Sequence, residues 1–184
     1  MARIPAVTRE DIPDSLKKIF DEVAAEPGGI GTGPMSILKN SPEMAKRARP
    51  LFNYVRNEST VPQKLRELGM LLTARAMNCP YIWHAHFDYG RAEGLSDMLL
   101  DAIRDKKTLP PVPSDEAIVI AYSNELLNYK SVTTETFNTL LNLLGRRGLV
   151  ELTTLLGFYT MLAFNANAVD LQLPGDISEL PLPT

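Results

Sequence analysis

Two apolar, helix-patterned segments joined by a tight turn constrain the fold of this chain more than any other feature. Leucines recur at helical spacing in the first segment, residues 62–77: Leu65, Leu68, Leu71 and Leu72. Asn78 tolerates the left-handed conformation that follows the last turn of a helix. Pro80 suits the first position of the next helix, where its missing N–H costs nothing. The sequence therefore predicts an antiparallel helical hairpin that turns at Asn78 and Cys79.

The second arm of this hairpin concentrates the residue types that carry chemistry. We expect Cys79 to be its N-cap and the helix to run over residues 80–93, with Gly94 after its end. The chain's one cysteine and both of its histidines, His84 and His86, lie here. Spacings of three and four residues put four side chains on one helix face: Cys79, Ile82, His86 and Tyr89.

Glu67 is an acidic residue on an apolar face of the first arm, where it stacks with Met70, Leu71 and Ala74. Apolar surroundings raise the pKa of a carboxyl group, and a nearby imidazole would complete a proton relay that works near neutral pH. At about 1.5 Å per residue, Glu67 lies roughly 18 Å from the turn along one arm and His86 roughly 10 Å along the other. We therefore expect a water molecule to bridge the two side chains rather than a direct contact.

Four residues of the hairpin follow the pattern E-x11-C-x2-C-x3-H with one substitution. Glu67, Cys79 and His86 occupy the first, second and last places. Ile82 occupies the place of the second cysteine. In this register the chain resembles the carboxymuconolactone decarboxylase family, which includes the alkylhydroperoxidase D-type proteins.

The resemblance extends beyond these four residues. Tyr81-x-Trp83 precedes the histidine, R-x-x-G-L-S begins at Arg91, and the similarity covers about residues 41–169. It implies the AhpD-like helical fold and assembly into trimers or hexamers. In the peroxidase branch it would also imply a dithiol that reduces peroxides, with the glutamate and histidine activating the thiol nearer to the histidine. Because Ile82 stands at that thiol's position, the resemblance brings the site without its redox pair.

These observations assign the candidate site residues. The catalytic candidates are Glu67, Cys79 and His86. The candidates for substrate binding are Ile82, Trp83 and Tyr89. Each group also has a purely structural interpretation: the cysteine as a buried or capping thiol, the histidine as a core residue bonded to a carbonyl, and the aromatic side chains as core or interface.

The two histidines do not form a recognisable metal site. Residues separated by one position point to different sides of a helix, and no third ligand follows at a useful spacing. His84 shares a face with Asp88, and we expect an ion pair between them. We expect neither a metal nor another cofactor.

The remainder of the chain is predicted to be helical as well. Helix-start residues, prolines and glycines delimit six further helices: residues 13–25, 42–57 with a kink at Pro50, 97–104, 114–129, 135–144 and 149–167. An extended arm, residues 1–12, precedes them. The proline-rich tail, residues 171–184, is expected to dock on its own or a neighbouring subunit. No credible set of strands remains, so the fold class is all-α: antiparallel helical hairpins in one domain over residues 1–184, with its core at about 41–169.

A weak internal repeat relates two of these helices. Residues 65–72 and 149–156 share the pattern L-x-E-L-x-x-L-L, so Glu151 occupies the place of Glu67. Leucine-rich helices also produce such matches by chance. If the repeat is structural, the last helix is the counterpart of the hairpin's first arm, and Glu151 is a relic or a supporting acid.

Composition and charge narrow the function classes. A net charge of −3 gives no basic surface for nucleic acid. The apolar segment 149–168 is interrupted by Glu151, threonines and asparagines, so we expect no membrane span. The N-terminus lacks the apolar core of a signal peptide and one cysteine cannot form an internal disulfide, so we expect a cytoplasmic protein. The glycine-rich residues 28–33 follow a helix and are closed by Pro34, whereas a phosphate-binding loop follows a strand, so we interpret them as a flexible connection or lid.

Three functions stay open. The first is a cofactor-independent enzyme for a small-molecule substrate in which Glu67 and His86 move protons, in lyase, decarboxylase or isomerase style. The second is a thiol peroxidase in which Cys79 works alone and a partner thiol resolves its sulfenic acid. The third is a non-catalytic helical oligomer. Loss of the second thiol at Ile82 favours the first, and we expect a homo-oligomer in each case.

Overall fold

The computed structural model describes residues 2–27, 29–173 and 182–183, and these residues form eight α-helices and no strand. The helices are α1 (Lys17–Ala24), α2 (Pro34–Leu38), α3 (Pro42–Asn53), α4 (Gln63–Ala76), α5 (Pro80–Ala92), α6 (Asp97–Asp105), α7 (Ser114–Tyr129) and α8 (Thr134–Ala168). Two short 3-10 turns, Arg9–Asp11 and Asp14–Leu16, precede α1. The predicted all-α fold is confirmed.

Helix α4 forms the centre of the fold. Residues 65–75 are all buried, so this helix is enclosed on every side rather than amphipathic. It packs against α5, α7 and α8. Gly69 permits the close approach of α8, because a Cβ atom there would lie 3.3 Å from a methyl group of Leu152. The two helices of the internal repeat are therefore direct packing partners.

The predicted hairpin is confirmed at its turn. Asn78 has a φ of 47°, in the left-handed region, and Cys79 is the N-cap of α5. The Cys79 N–H donates to the carbonyl oxygen of Ala74 at 2.8 Å, which closes the end of α4. Gly94 follows α5 with a φ of 95°. The turn thus reverses the chain and lays α5 against α4.

Two of the longer helices differ from their predicted limits. Helix α8 contains a break at Gly145, where φ is 66°, whereas the sequence predicts a new helix at Leu149. The predicted helix 42–57 is α-helical to Asn53 and then continues as a π-helix, Tyr54–Glu58. Pro50, inside α3, lacks the backbone donor of a regular helix and lies one turn before this change.

The segments at both ends pack onto the helical body. Val7 and Ile12 of the predicted N-terminal arm form a small buried cluster with Phe20 of α1. Most of that arm has no regular secondary structure. The main core includes Val23 and, from near the C-terminus, Leu182. The predicted docking of the tail otherwise concerns residues that lie outside the described part of the chain.

Helix α8 has the length and apolar composition of a membrane-spanning helix. Its most apolar stretch is 56% buried inside the protein. The helix packs against α4 and α7 and carries the buried Glu151. Packing within the fold therefore accounts for its apolar character.

Candidate functional site

Glu67 of α4 and His86 of α5 form a direct hydrogen bond in the interior of the hairpin. The distance from Glu67 Oε2 to His86 Nδ1 is 2.7 Å, and the two residues are 1% and 3% exposed. The expectation of a bridging water is wrong, because the rise per residue gives only the position of each residue along its helix axis. The side chains reach toward each other and close the remaining gap.

A chain of hydrogen bonds fixes where the protons of this pair lie. Arg66 donates to the side-chain oxygen of Gln63, so the Gln63 amide nitrogen is the atom that donates to Glu67 Oε1, at 2.7 Å. Glu67 therefore acts as an acceptor at one oxygen, and we assign the Nδ1–H of His86 as the donor to the other. This leaves Nε2 of a neutral His86 as the proton-accepting atom.

Burial lowers the pKa of His86 below its ordinary value, because a charged imidazolium loses its hydration inside the protein. The hydrogen bond and the charge of Glu67 act in the opposite direction, and the positive charge of Arg56 adds to the lowering. His86 is consequently a neutral base at pH 7, and Glu67 stabilises its protonated form once a proton has been taken up.

A cavity of about 170 Å³ lies against His86. Its walls are mostly apolar: Gly33, Pro34, Met35, Phe52, Ile82, Ala85 and Leu162. Its polar side chains are Arg56, Tyr81, His86 and Tyr159. Glu67 is not among the lining residues and acts on the cavity through His86. A larger groove, about 640 Å³, lies elsewhere beside Arg75 and Lys106, but neither Glu67 nor His86 lines it.

The glycine-rich segment before α2 supplies one wall of this cavity. Gly33 and Pro34 line it, and the Thr32 hydroxyl lies 3.2 Å from that of Tyr81. Lys39 donates to the carbonyl oxygens of Gly29 and Ile30. The segment predicted to be a connection or lid is thus hydrogen-bonded against the site.

Cys79 lies near the site in sequence but is sealed inside the protein. It is 0% exposed and does not line the cavity. Burial raises the pKa of its thiol, and hydrogen bonds from the backbone N–H groups of Ile82 and Tyr81 oppose this effect without reversing it. A helix N-terminus ordinarily lowers the pKa of a thiol, and burial of Cys79 overrides that effect here.

The three candidates for substrate binding lie in different environments. Ile82 is buried and lines the cavity. Trp83 is 1% exposed, packs against Phe87 with ring centres 5.9 Å apart, and does not line the cavity. Tyr89 is 58% exposed, with its ring centre 6.5 Å from that of His86. Of the predicted shared face, three residues are buried and Tyr89 reaches the surface.

Four polar residues of the site were not predicted as site residues: Gln63, Arg56, Tyr159 and Tyr81, the last of which carried only the family resemblance. Gln63 precedes Glu67 by four residues, and this spacing was a usable signal, since such pairs meet on a helix surface. Arg56 had no signal, because the π-helix changes which side chains face the hairpin. Tyr159 is one of four aromatic residues in α8, and its packing against His86, with ring centres 5.2 Å apart, depends on the tertiary fold.

Among the described residues, no three His, Cys, Asp or Glu side chains come together as a set of metal ligands. Asp88 lies 4.0 Å from the guanidinium of Arg91. The ion pair between His84 and Asp88 stays a prediction.

The sequence matches no protein-family model and no curated protein, whereas the fold is similar to several solved structures. An alkylhydroperoxidase AhpD core from Ralstonia eutropha, described as an uncharacterized peroxidase-related protein, has a TM-score of 0.71 and 14% identity over 95% of this chain and 93% of that one. A peroxidase-related protein from Silicibacter sp. has a TM-score of 0.70 and 14% identity over 95% and 92%. The debrominase Bmp8, solved as a cysteine-to-alanine variant with 2,3,4-tribromopyrrole, has a TM-score of 0.66 and 14% identity over 92% and 90%.

Each of these similarities covers more than 90% of this chain. The chain has the AhpD-like helical fold, as the resemblance in its sequence implied.

Proposed function

We propose that this chain is a cofactor-independent acid–base enzyme that acts on a small organic molecule in the His86 cavity, by a reaction of lyase, decarboxylase or isomerase type. The observation that carries the proposal is the buried hydrogen bond between Glu67 and His86 at the wall of a small, mostly apolar cavity. A neutral imidazole oriented by a carboxylate is a suitable general base at pH 7.

The proton transfers follow from this arrangement. Nε2 of His86 removes a proton from a carbon next to a substrate carbonyl, and the electron pair of that C–H bond moves into an enolate. The imidazolium so formed is stabilised by Glu67, which Gln63 holds through its other oxygen. His86 then returns the proton to another atom of the same intermediate. The apolar walls limit exchange of that proton with water.

A thiol peroxidase is the competing candidate, since some of the structurally similar proteins are described as peroxidase-related. Two observations weigh against it in this chain. The Cys79 sulfur is buried with a raised thiol pKa, and Ile82 occupies the position of the second thiol in the E-x11-C-x2-C-x3-H pattern. Peroxide reduction would require both exposure of Cys79 and an external thiol.

Proton abstraction can be measured without knowing the natural substrate. The protein is incubated in D₂O with a panel of small keto acids and unsaturated lactones, and loss of C–H signals is followed by ¹H NMR. We expect exchange or turnover for at least one compound, and a loss of about 100-fold or more in His86→Gln and Glu67→Gln. Cys79→Ser is the matched control and should retain the activity.

The same preparations are assayed with an organic peroxide and dithiothreitol. If the wild type consumes peroxide and Cys79→Ser does not, the thiol peroxidase replaces the acid–base enzyme as the proposed function. Inactivity of the wild type in both assays would favour the non-catalytic oligomer.

A further inference from the structure

The His86 cavity contains more hydrogen-bond donors than the acid–base reaction uses. Arg56, Tyr81 and Tyr159 line it together with His86. The Tyr81 hydroxyl has a partner in Thr32, at 3.2 Å. Arg56 and Tyr159 remain to be explained.

Arg56 carries a positive charge that no carboxylate of the described residues neutralises by an ion pair. Its guanidinium instead lies over two aromatic rings, 5.7 Å from the centre of Phe52 and 6.0 Å from that of Tyr89. These contacts orient the group but leave its N–H donors without an anionic acceptor. Glu67, the buried acid of the site, is already engaged by Gln63 and His86.

Tyr159 supplies a second donor at the same cavity. It is 2% exposed, and its hydroxyl has no hydrogen-bond partner among the described residues. Burial raises the pKa of this phenol, so the hydroxyl keeps its proton. A buried hydroxyl without a partner is costly, and a ligand that accepts its hydrogen bond would remove that cost.

We propose that Arg56 and Tyr159 form the binding site for the carboxylate group of a small organic acid, which is the substrate class of the function proposed above and rests on it. A guanidinium and a hydroxyl offer donors without a competing carboxylate, and the planar guanidinium fork matches the two oxygens of a carboxylate. The cavity is smaller than the ~300–1,000 Å³ typical of sites for drug-sized ligands, so the acid is small. Its apolar walls suit a short hydrocarbon or aromatic body with the reacting carbon next to His86.

Benzoate and its neutral analogue benzamide are the probes for this proposal. Binding is measured by ligand-observed NMR and calorimetry for the wild type and three variants: Arg56→Gln, Arg56→Lys and Tyr159→Phe. We expect benzoate to bind the wild type more tightly than benzamide. Arg56→Gln should weaken the binding of benzoate about tenfold or more, since a charge-assisted hydrogen bond is lost. The affinity for benzamide should stay nearly unchanged. Tyr159→Phe should weaken benzoate to a smaller extent, and Arg56→Lys should retain part of the affinity.

Arg146→Gln is the matched control, because this exposed arginine of α8 lies outside the cavity. Circular dichroism of each variant checks that the helical content is retained. Benzoate affinity that is equal in Arg56→Gln and the wild type would overturn the proposal. Inorganic phosphate that competes more strongly than benzoate would overturn the assignment of a carboxylate ligand.

His86→Gln separates this proposal from the proposed function. The variant should bind benzoate within a few-fold of the wild type while losing proton exchange. If it exchanges protons normally and Arg56→Gln still loses benzoate, the anion site stands and the acid–base function fails. If His86→Gln loses exchange but Arg56→Gln binds benzoate normally, the function stands and the anion site fails.

Discussion

Glu67 and Glu151 are buried carboxylates at matching positions of two helices that pack directly on each other, and they are bonded to different kinds of partner. Glu67 accepts from Gln63 and contacts the titratable ring of His86. Glu151 accepts hydrogen bonds from three hydroxyls, one backbone N–H and one guanidinium, supplied by Tyr54, Ser59, Thr60 and Arg147. The first arrangement can move a proton, whereas the second holds a permanent negative charge that joins the π-helix to α8.

We expect Glu151→Gln to lower the free energy of unfolding by about 3 kcal/mol, because five donors would then face an amide in place of a carboxylate. These donors lower the pKa of Glu151 in the folded protein, so its stabilising contribution is present above the unfolded value near 4.5 and is lost as the pH falls below it. Urea unfolding between pH 7 and pH 3 measures both effects. A variant that matches the wild type at pH 7 would contradict the assigned role, and Glu135→Gln on the exposed start of α8 is the control.

Burial of His86 should make stability depend on pH in a separate, higher window. Its folded pKa lies below the unfolded value of about 6.5, so the unfolded chain takes up this proton first as the pH falls. The free energy of unfolding should therefore decrease below about pH 6.5, by at most about 1.4 kcal/mol per pH unit. In His86→Gln this part of the decrease should be missing. An unchanged slope between pH 6.5 and pH 5 in that variant would refute the linkage.

Glu67→Gln should shift the titration of His86 to still lower pH. The hydrogen bond and charge of Glu67 are the contributions that raise the pKa of His86 against the effect of burial, and an amide supplies no charge. NMR of the imidazole carbons follows the midpoint directly. Changing His84 should leave the midpoint of His86 nearly unaffected, and an unmoved midpoint in Glu67→Gln would mean that the two residues do not act as a unit.

The native protein should be a poor peroxidase with dithiol reductants, and its thiol should react slowly with a disulfide reagent such as DTNB. Cys79 is fully buried and its thiol pKa is raised, so little thiolate is available to attack. In denaturant the same cysteine should react at the rate of an ordinary thiol. Cys79→Ser should keep the fold, because serine also serves as an N-cap. Equal reaction rates in the native and unfolded states would show that Cys79 is accessible.

We expect a homo-oligomer in solution, as the sequence predicted. Large apolar side chains of α8 remain outside the core of the isolated chain, with Val150 60% and Phe164 63% exposed. Light scattering at micromolar concentration should give a mass that is a multiple of 20.4 kDa. Phe164→Ser should shift the distribution toward smaller species without loss of helical content. A monodisperse 20.4 kDa wild type would refute the expectation.

The sequence predicted the parts of the fold that depend on local backbone chemistry. Asn78 and Pro80 defined the hairpin turn, and Ser96, the helix-start residue before the predicted helix 97–104, caps α6 by accepting from the Leu99 N–H. Gly145 breaks α8 before the predicted restart at Leu149. The prediction missed this position because either Gly145 or the glycine just before Leu149 could adopt the left-handed conformation, and the local sequence does not choose between them.

The candidate site was predictable only where its residues lie on regular helices. Glu67 and His86 could be paired from the hairpin, but the direct contact depends on side-chain reach, which axial spacing omits. The position of Arg56 at the cavity depends on a change of helix type. The environment of Cys79 depends on burial by distant segments. Tertiary packing decides all three, so no local pattern contained them.

The π-helical turn at Tyr54–Glu58 would let this segment lose one residue without moving the residues that follow it. A π-helical turn holds one residue more than an α-helical turn, so deleting a single residue here would restore ordinary winding and leave both flanks in place. Ser59 and Thr60 would keep their contacts with Glu151, whereas the side chains inside the turn, Arg56 among them, would change direction. A one-residue gap here in a relative would therefore mark a protein that keeps the contacts of Glu151 and lacks the arginine of the cavity.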